Sequence, residues 1–230
     1  MISLVALDMA GTTIDEGGAV YEALHAAVAE HPINVGSEVT AADVQQWMGA
    51  EKRTAMRELT RLASGAVASD AVVEEMYEQF RDQLRATYAA TPPVPVSGTN
   101  ELFTELRTRG IRVALTTGFS RDIAEPLVRS LGWQPGPDSP IDAVVCGDEV
   151  AAGRPAPYMI FRAMEQTGIE TVDRVLVAGD TVVDLRAGMN AGVRMVIGVA
   201  TGKLTFAELG AEPHTHLLAS VADIPTVLDA

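Results

Sequence analysis

Short apolar runs recur along the chain, at residues 2–7, 111–115, 141–145, 175–178 and 195–199. Most are continuous rather than alternating, the pattern of strands covered on both faces of a parallel sheet. Between the later runs lie polar-apolar segments of helical length, at 121–131, 158–167 and 184–191. Strand and helix alternating in this way predict an α/β fold, a doubly wound parallel sheet with a Rossmann-like core. Ligands in such sheets bind at the carboxyl ends of the strands, so the residues after each run are the ones to read for chemistry.

The first two runs are separated by about a hundred residues, far more than one crossover helix needs. Almost all of that gap has helical character. Thr40-Ala41-Ala42-Asp43 reads as a capping box opening a helix. Val73, Met76, Tyr77, Phe80, Leu84 and Tyr88 recur at three- and four-residue spacing, an amphipathic stripe. Thr91-Pro92-Pro93-Val94-Pro95-Val96-Ser97-Gly98 closes the gap as a linker. The expectation is a helical cap, residues 17–92, inserted after the first strand of an α/β core made of residues 1–16 and 93–230.

Composition narrows the partners. Apolar residues form 47% of the 230 and charged ones 21%, the mix of a soluble globule. No stretch approaches the roughly 18 consecutive apolar residues of a membrane helix. Met1 leads straight into an apolar run without a basic leader, so a cytoplasmic protein is expected. Cys146 is the one cysteine, which excludes an intrachain disulfide or a zinc site of several thiolates, and it reads as a buried small hydrophobe. Seventeen basic against 31 acidic residues give a net charge of −14, unsuited to nucleic acid or an anionic membrane surface.

Four strand ends carry polar stations. The first run ends in Asp8-Met9-Ala10-Gly11-Thr12-Thr13 and the second in Thr116-Thr117-Gly118. Gly153-Arg154-Pro155 follows the third, and Gly179-Asp180-Thr181-Val182-Val183-Asp184 ends the fourth. Singly, an Asp at a strand–helix junction is a cap and a lone Arg is surface. Together they supply a carboxylate nucleophile, a phosphate cradle, a charge-neutralising arm and a hard oxygen site for Mg²⁺.

This ordered set resembles the haloacid dehalogenase superfamily over nearly the whole chain. The resemblance implies that Asp8 attacks phosphorus to form an aspartyl phosphate. It also implies that Mg²⁺ is held by Asp8, the Ala10 backbone carbonyl and Asp180, with Asp184 supporting the metal shell. Arg154 and a threonine would hold phosphoryl oxygens; Thr116 and Thr117 both qualify, and Thr117, next to Gly118, is preferred. Phosphatases of the superfamily carry a second Asp two residues after the nucleophile, to protonate the departing alkoxide. Here that residue is Ala10.

The expected insertion offers other chemistry. On a helical wheel, Lys52 shares its face with Met48, Ala55, Met56, Leu59 and Ala63, while Arg53, Arg57 and Arg61 fall opposite. A partly desolvated lysine favours its neutral amine and can form a Schiff base; the plainer alternative is a packed stem with its ammonium in water. Asp8-Met9-Ala10-Gly11-Thr12-Thr13, Met48-Gly49-Ala50-Glu51-Lys52 and Gly153-Arg154-Pro155 together resemble the phosphonoacetaldehyde hydrolase branch of the superfamily. In that branch the cap lysine forms an imine with the substrate aldehyde. The resemblance implies a small anionic phosphonate substrate, C–P bond cleavage and a homodimer formed through the cap. The alternative is a phosphate-monoester phosphatase of the same superfamily. The branch has Cys, His and Tyr where this chain has Gly18, Ala55 and Phe119. His25, His31, His214, His216, Trp47 and Trp133 read as packing or surface residues.

Overall fold

The structure is a computed structural model that describes residues 1–136 and 139–228. It divides into two compact units, one of Met1–Asp15 with Val94–Ala230 and one of Glu16–Pro93. Chain order begins with β1 (Leu4–Asp8) and β2 (Ile14–Asp15), followed by the helices α1 (Ala19–Ala29), α2 (Ala41–Gln46), α3 (Lys52–Ser64) and α4 (Asp70–Ala90). Next come β3 (Val94–Pro95), α5 (Thr99–Thr108), β4 (Arg112–Thr117), α6 (Arg121–Ser130) and β5 (Ala143–Cys146). The chain continues through α7 (Tyr158–Thr167), β6 (Val175–Gly179), α8 (Val182–Ala191), β7 (Met195–Val199), α9 (Phe206–Gly210), β8 (His216–Leu218) and α10 (Pro225–Leu228).

The larger unit is built on a six-stranded sheet in the order β5-β4-β1-β6-β7-β8, every neighbouring pair parallel. All residues of β1, β5, β6 and β7 are buried, which is why their sequences are continuous apolar runs. Leu4, Ala6, Ala114, Val145 and Val177 pack with Met159, Ile160 and Ala163 of α7 and Ala187 of α8 in one core cluster. Trp133 is buried edge-on against Phe103, ring centroids 5.1 Å apart, and its indole N–H donates to Asn100. β8 was not expected from the sequence. It has only three residues, all half-buried at the sheet edge, too short to show a period.

The chain's order across the sheet reverses beside β1. From β1 it passes outward to β4 and β5, then returns to β6 on the other side of β1 and continues to β7 and β8. The crevice outside the carboxyl ends of β1 and β6 is therefore a topological switch point, where doubly wound sheets hold their ligands. The expected linker includes β3, which pairs antiparallel with β2, Ile14 opposite Pro95 and Asp15 opposite Val94.

In the helical unit, α4 buries Val73, Met76, Tyr77, Phe80 and Leu84 along one stripe, and Tyr88 is half-buried. Thr40 and Asp43 form the reciprocal capping box of α2. α3 opens at Lys52 rather than reaching back to Met48, because Glu51 caps it, its carboxylate accepting from the backbone N–H groups of Arg53 and Thr54. The buried face of α3 is Lys52, Ala55, Met56, Leu59 and Thr60, with Ala63 half-buried. Arg53 forms a two-pronged ion pair with Glu74 and lies 3.6 Å over the Tyr77 ring, fastening the first turn of α3 to α4. No helix among the described residues is long and apolar enough to cross a membrane.

Candidate active site

Register places the first two stations side by side. Asp8 ends β1 directly opposite Thr116 of β4, so their side chains share one side of the strand ends. Thr117, the next residue, pairs with Cys146 of β5 and alternates to the other side. The Arg154 guanidinium joins the stations. One nitrogen lies 2.6 Å from Asp8 Oδ1 and 2.6 Å from Asp184 Oδ1, and the other donates to Thr116 Oγ at 3.0 Å. Thr117 Oγ instead accepts from the Phe119 backbone N–H at 3.1 Å. Thr116 is thus the hydroxyl that shares Arg154.

Asp184 does two things at once. It is the third residue of α8, and its Oδ2 accepts from the backbone N–H and hydroxyl of Thr181, while Oδ1 faces Arg154. One Asp184 oxygen thus caps the helix start while the other meets Arg154. Gly179 makes room for it, since a Cβ there would stand 2.3 Å from the Asp184 Cγ. Asp180 is not a cap; its Oδ1 accepts from the Thr12 hydroxyl at 2.8 Å. The sequence alone assigns Thr12 no role. The available signal was its place in the loop after Asp8, opposite the acids that follow β6. Thr13 Oγ donates to the Asp8 carbonyl at 2.9 Å and ties that loop to the strand end.

Asp8, Asp180 and Asp184 are all buried, and each offers an oxygen within 4.8 Å of the others. Burial raises the Asp8 pKa to about 6; Arg154 opposes the rise and Asp184 adds to it. Burial, with Asp8 and Asp184 nearby, also pushes Asp180 well above the ordinary carboxylate range. For Arg154 burial works against the charge, but Asp184 and Asp8 outweigh it and hold the guanidinium protonated. Three buried carboxylates therefore face one buried cation, an excess of negative charge that a second cation would relieve. The donors are hard oxygens, as Mg²⁺ and Ca²⁺ require. The Asp180 carboxylate also lies against Gly11, where an added Cβ would sit 2.5 Å from Oδ2. This donor set and its close backbone wall fit a divalent ion.

Lys52 belongs to the helical unit, and only 3% of it is exposed. Its Nζ donates to the Ala50 carbonyl at 3.2 Å. Gly18 takes the left-handed conformation before α1, φ +85°, a backbone that a cysteine would adopt only with strain. Ala55 is fully buried one turn after Lys52, and Phe119 is buried beyond Gly118. His25 bonds the Val39 carbonyl, His31 meets Glu75 and His214 bonds the Glu212 carbonyl. Cys146 is buried, and burial pushes its thiol up to about 12, so it is no nucleophile.

A family model described as haloacid dehalogenase-like hydrolase matches residues 2–192. A phosphonoacetaldehyde hydrolase of Bacillus cereus (strain B4264) is 33% identical over 232 residues, covering 91% of this chain and 78% of the relative. Among solved structures, a phosphonoacetaldehyde hydrolase-like protein of Oleispira antarctica superposes with a TM-score of 0.81 at 22% identity, covering 99% of this chain and 91% of the other. A hydrolase from Pseudomonas syringae superposes at 0.82 with 19% identity, covering 100% and 98%. At these identities the two structures bear on the fold alone.

Proposed function

Because the chain belongs to the haloacid dehalogenase-like hydrolases, we propose that it hydrolyses the C–P bond of phosphonoacetaldehyde or a substituted relative, using an aspartyl phosphate and a Schiff base on Lys52. The carrying observation is a lysine 3% exposed in a chain whose Ala10 stands where an ester hydrolase needs its acid. A buried amine is desolvated, which favours the neutral form that imine formation needs. The Bacillus cereus relative, named for this reaction, supports the same reading.

The chemistry explains both features. A carbanion is a far worse leaving group than an alkoxide, and a carboxylic acid at position 10 would not remedy that. Lys52 Nζ adds to the aldehyde carbon and water leaves, giving a protonated imine. Asp8 attacks phosphorus; the P–C bond breaks and its electron pair moves into the imine to form an enamine. Protonation at carbon and hydrolysis then return the aldehyde product and free Lys52. Water attack on the aspartyl phosphate releases phosphate and restores Asp8. Arg154 and a threonine hold the phosphoryl oxygens, and the bond between Arg154 and Thr116 supports Thr116 in that role. Mg²⁺, held by Asp8, Asp180 and the Ala10 carbonyl with Asp184 in support, would neutralise charge on the phosphoryl group.

Phosphonoacetaldehyde and a panel of phosphate monoesters, assayed side by side with Mg²⁺, test the reading. Phosphate release from the aldehyde phosphonate, lost in Lys52→Arg, is expected. Release from simple esters that ignores the Lys52 substitution would instead identify an ordinary phosphatase.

A further inference from the structure

The sequence shows polar stations at four strand ends, yet the sheet presents a fifth. β7 ends at Val199, and the chain then runs through Ala200-Thr201-Gly202 before α9. Thr201 Oγ donates to the Gly11 carbonyl at 2.6 Å, reaching 190 residues back along the chain to the loop that follows Asp8. A Cβ added at Gly202 would fall 1.8 Å from Asp180 Oδ2 and 2.6 Å from its Cγ. Gly11 approaches the same oxygen from the other loop, with a φ of +89° that an L side chain rarely adopts. The Asp180 carboxylate thus lies close against two glycine backbones, while the Thr12 hydroxyl holds its other oxygen.

We propose that Thr201 and Gly202 are positioning residues of the acidic site: Thr201 pins the β1 loop through Gly11, and Gly202 sets Asp180 at a fixed distance from Asp8. The inference rests on the reading of Asp8 and Asp180 as ligands of one divalent cation. Both would act through Gly11 and Asp180 rather than on substrate. The physical basis is pre-organisation, since ligands held in place by surrounding contacts bind an ion more tightly than ligands free to spread under their own repulsion. Thr201 makes its hydrogen bond through a hydroxyl that serine also carries. Valine keeps the volume and loses the donor, leaving the Gly11 carbonyl without this partner.

The test is Mg²⁺ titration by calorimetry of the metal-free 230-residue chain, which needs no substrate and no turnover. Thr201→Val should weaken Mg²⁺ binding about tenfold, in line with the usual cost of losing a group that orients a metal ligand. Thr201→Ser should stay within about twofold of the parent, and Gly202→Ala should lose binding more completely than Thr201→Val. Circular dichroism checks that each variant is folded, and the serine variant keeps the comparison valid if valine unfolds the chain. Parent-like Mg²⁺ affinity in folded Thr201→Val would overturn the positioning role while leaving the cation site standing. Parent protein that binds no Mg²⁺ would overturn the cation reading itself and this inference with it.

Discussion

Asp8 is the residue on which most of the site converges. Its carboxylate pairs with Arg154, its pKa is raised to about 6, and the Thr13 hydroxyl bonds its carbonyl. In the metal-free protein it is ionised against the guanidinium above that pKa and protonated below it. Asp8→Asn should reduce phosphate release by about a thousandfold or more, because the amide neither attacks phosphorus nor carries charge to a cation. The fold should survive, since Arg154 keeps Asp184 as its partner. Circular dichroism and a phosphate-release assay on the same preparation check both halves. At this scale Asp8 and Asp180 were legible at the ends of apolar runs, and Arg154 and Asp184 as charged residues in the loop and the helix start that follow such runs. Which threonine lies beside Asp8 was not. Neighbouring hydroxyls on a strand face opposite ways, and only the register with β1 tells which one meets Asp8.

Elements decide what surrounds those residues. α3 begins at Lys52 because Glu51 caps it, which the wheel over residues 48–63 could not show: periodicity identifies a face, and capping fixes the end. The first turn, bearing Lys52, is then held by the Arg53–Glu74 pair and the Tyr77 ring. Glu51→Ala should cost about 1 kcal/mol of stability by removing acceptors from two backbone N–H groups. It should also slow reaction at Lys52, through loss of order in the turn rather than loss of the amine. Urea denaturation measures the first effect; an unchanged midpoint would show that the cap contributes nothing. Five strands, β1 and β4 to β7, were readable to within two residues because burial makes them continuous apolar runs. β8, three residues at the sheet edge, left no such trace.

Over the whole molecule, the net charge of −14 and the buried acids act in the same direction. With Asp8 and Asp180 raised, the folded metal-free protein holds protons that the unfolded chain releases near pH 4. For Asp8 that contribution to stability is complete below about pH 4 and is lost as pH rises through about 6, and for Asp180 it is lost as pH rises through that group's own raised pKa. Mg²⁺ would compete for the same carboxylates, so its gain in Tm should be several degrees near pH 7.5 and much smaller near pH 5. Thermal melts with and without Mg²⁺ at the two pH values check it, and equal gains would contradict it. The doubly wound core was legible in the sequence from the alternation of strand and helix. The strap from Thr201 to Gly11 was not, because it joins loops 190 residues apart in sequence. The central claim, an imine on Lys52, has a direct measurement: borohydride reduction during turnover of phosphonoacetaldehyde, followed by peptide mass mapping. Lys203 is the one other lysine, exposed after β7, which makes the map decisive. The account predicts a reduced two-carbon adduct on Lys52, none on Lys203, and loss of adduct and turnover together in Lys52→Arg. Turnover of the phosphonate with Lys52 unmodified after reduction would contradict it.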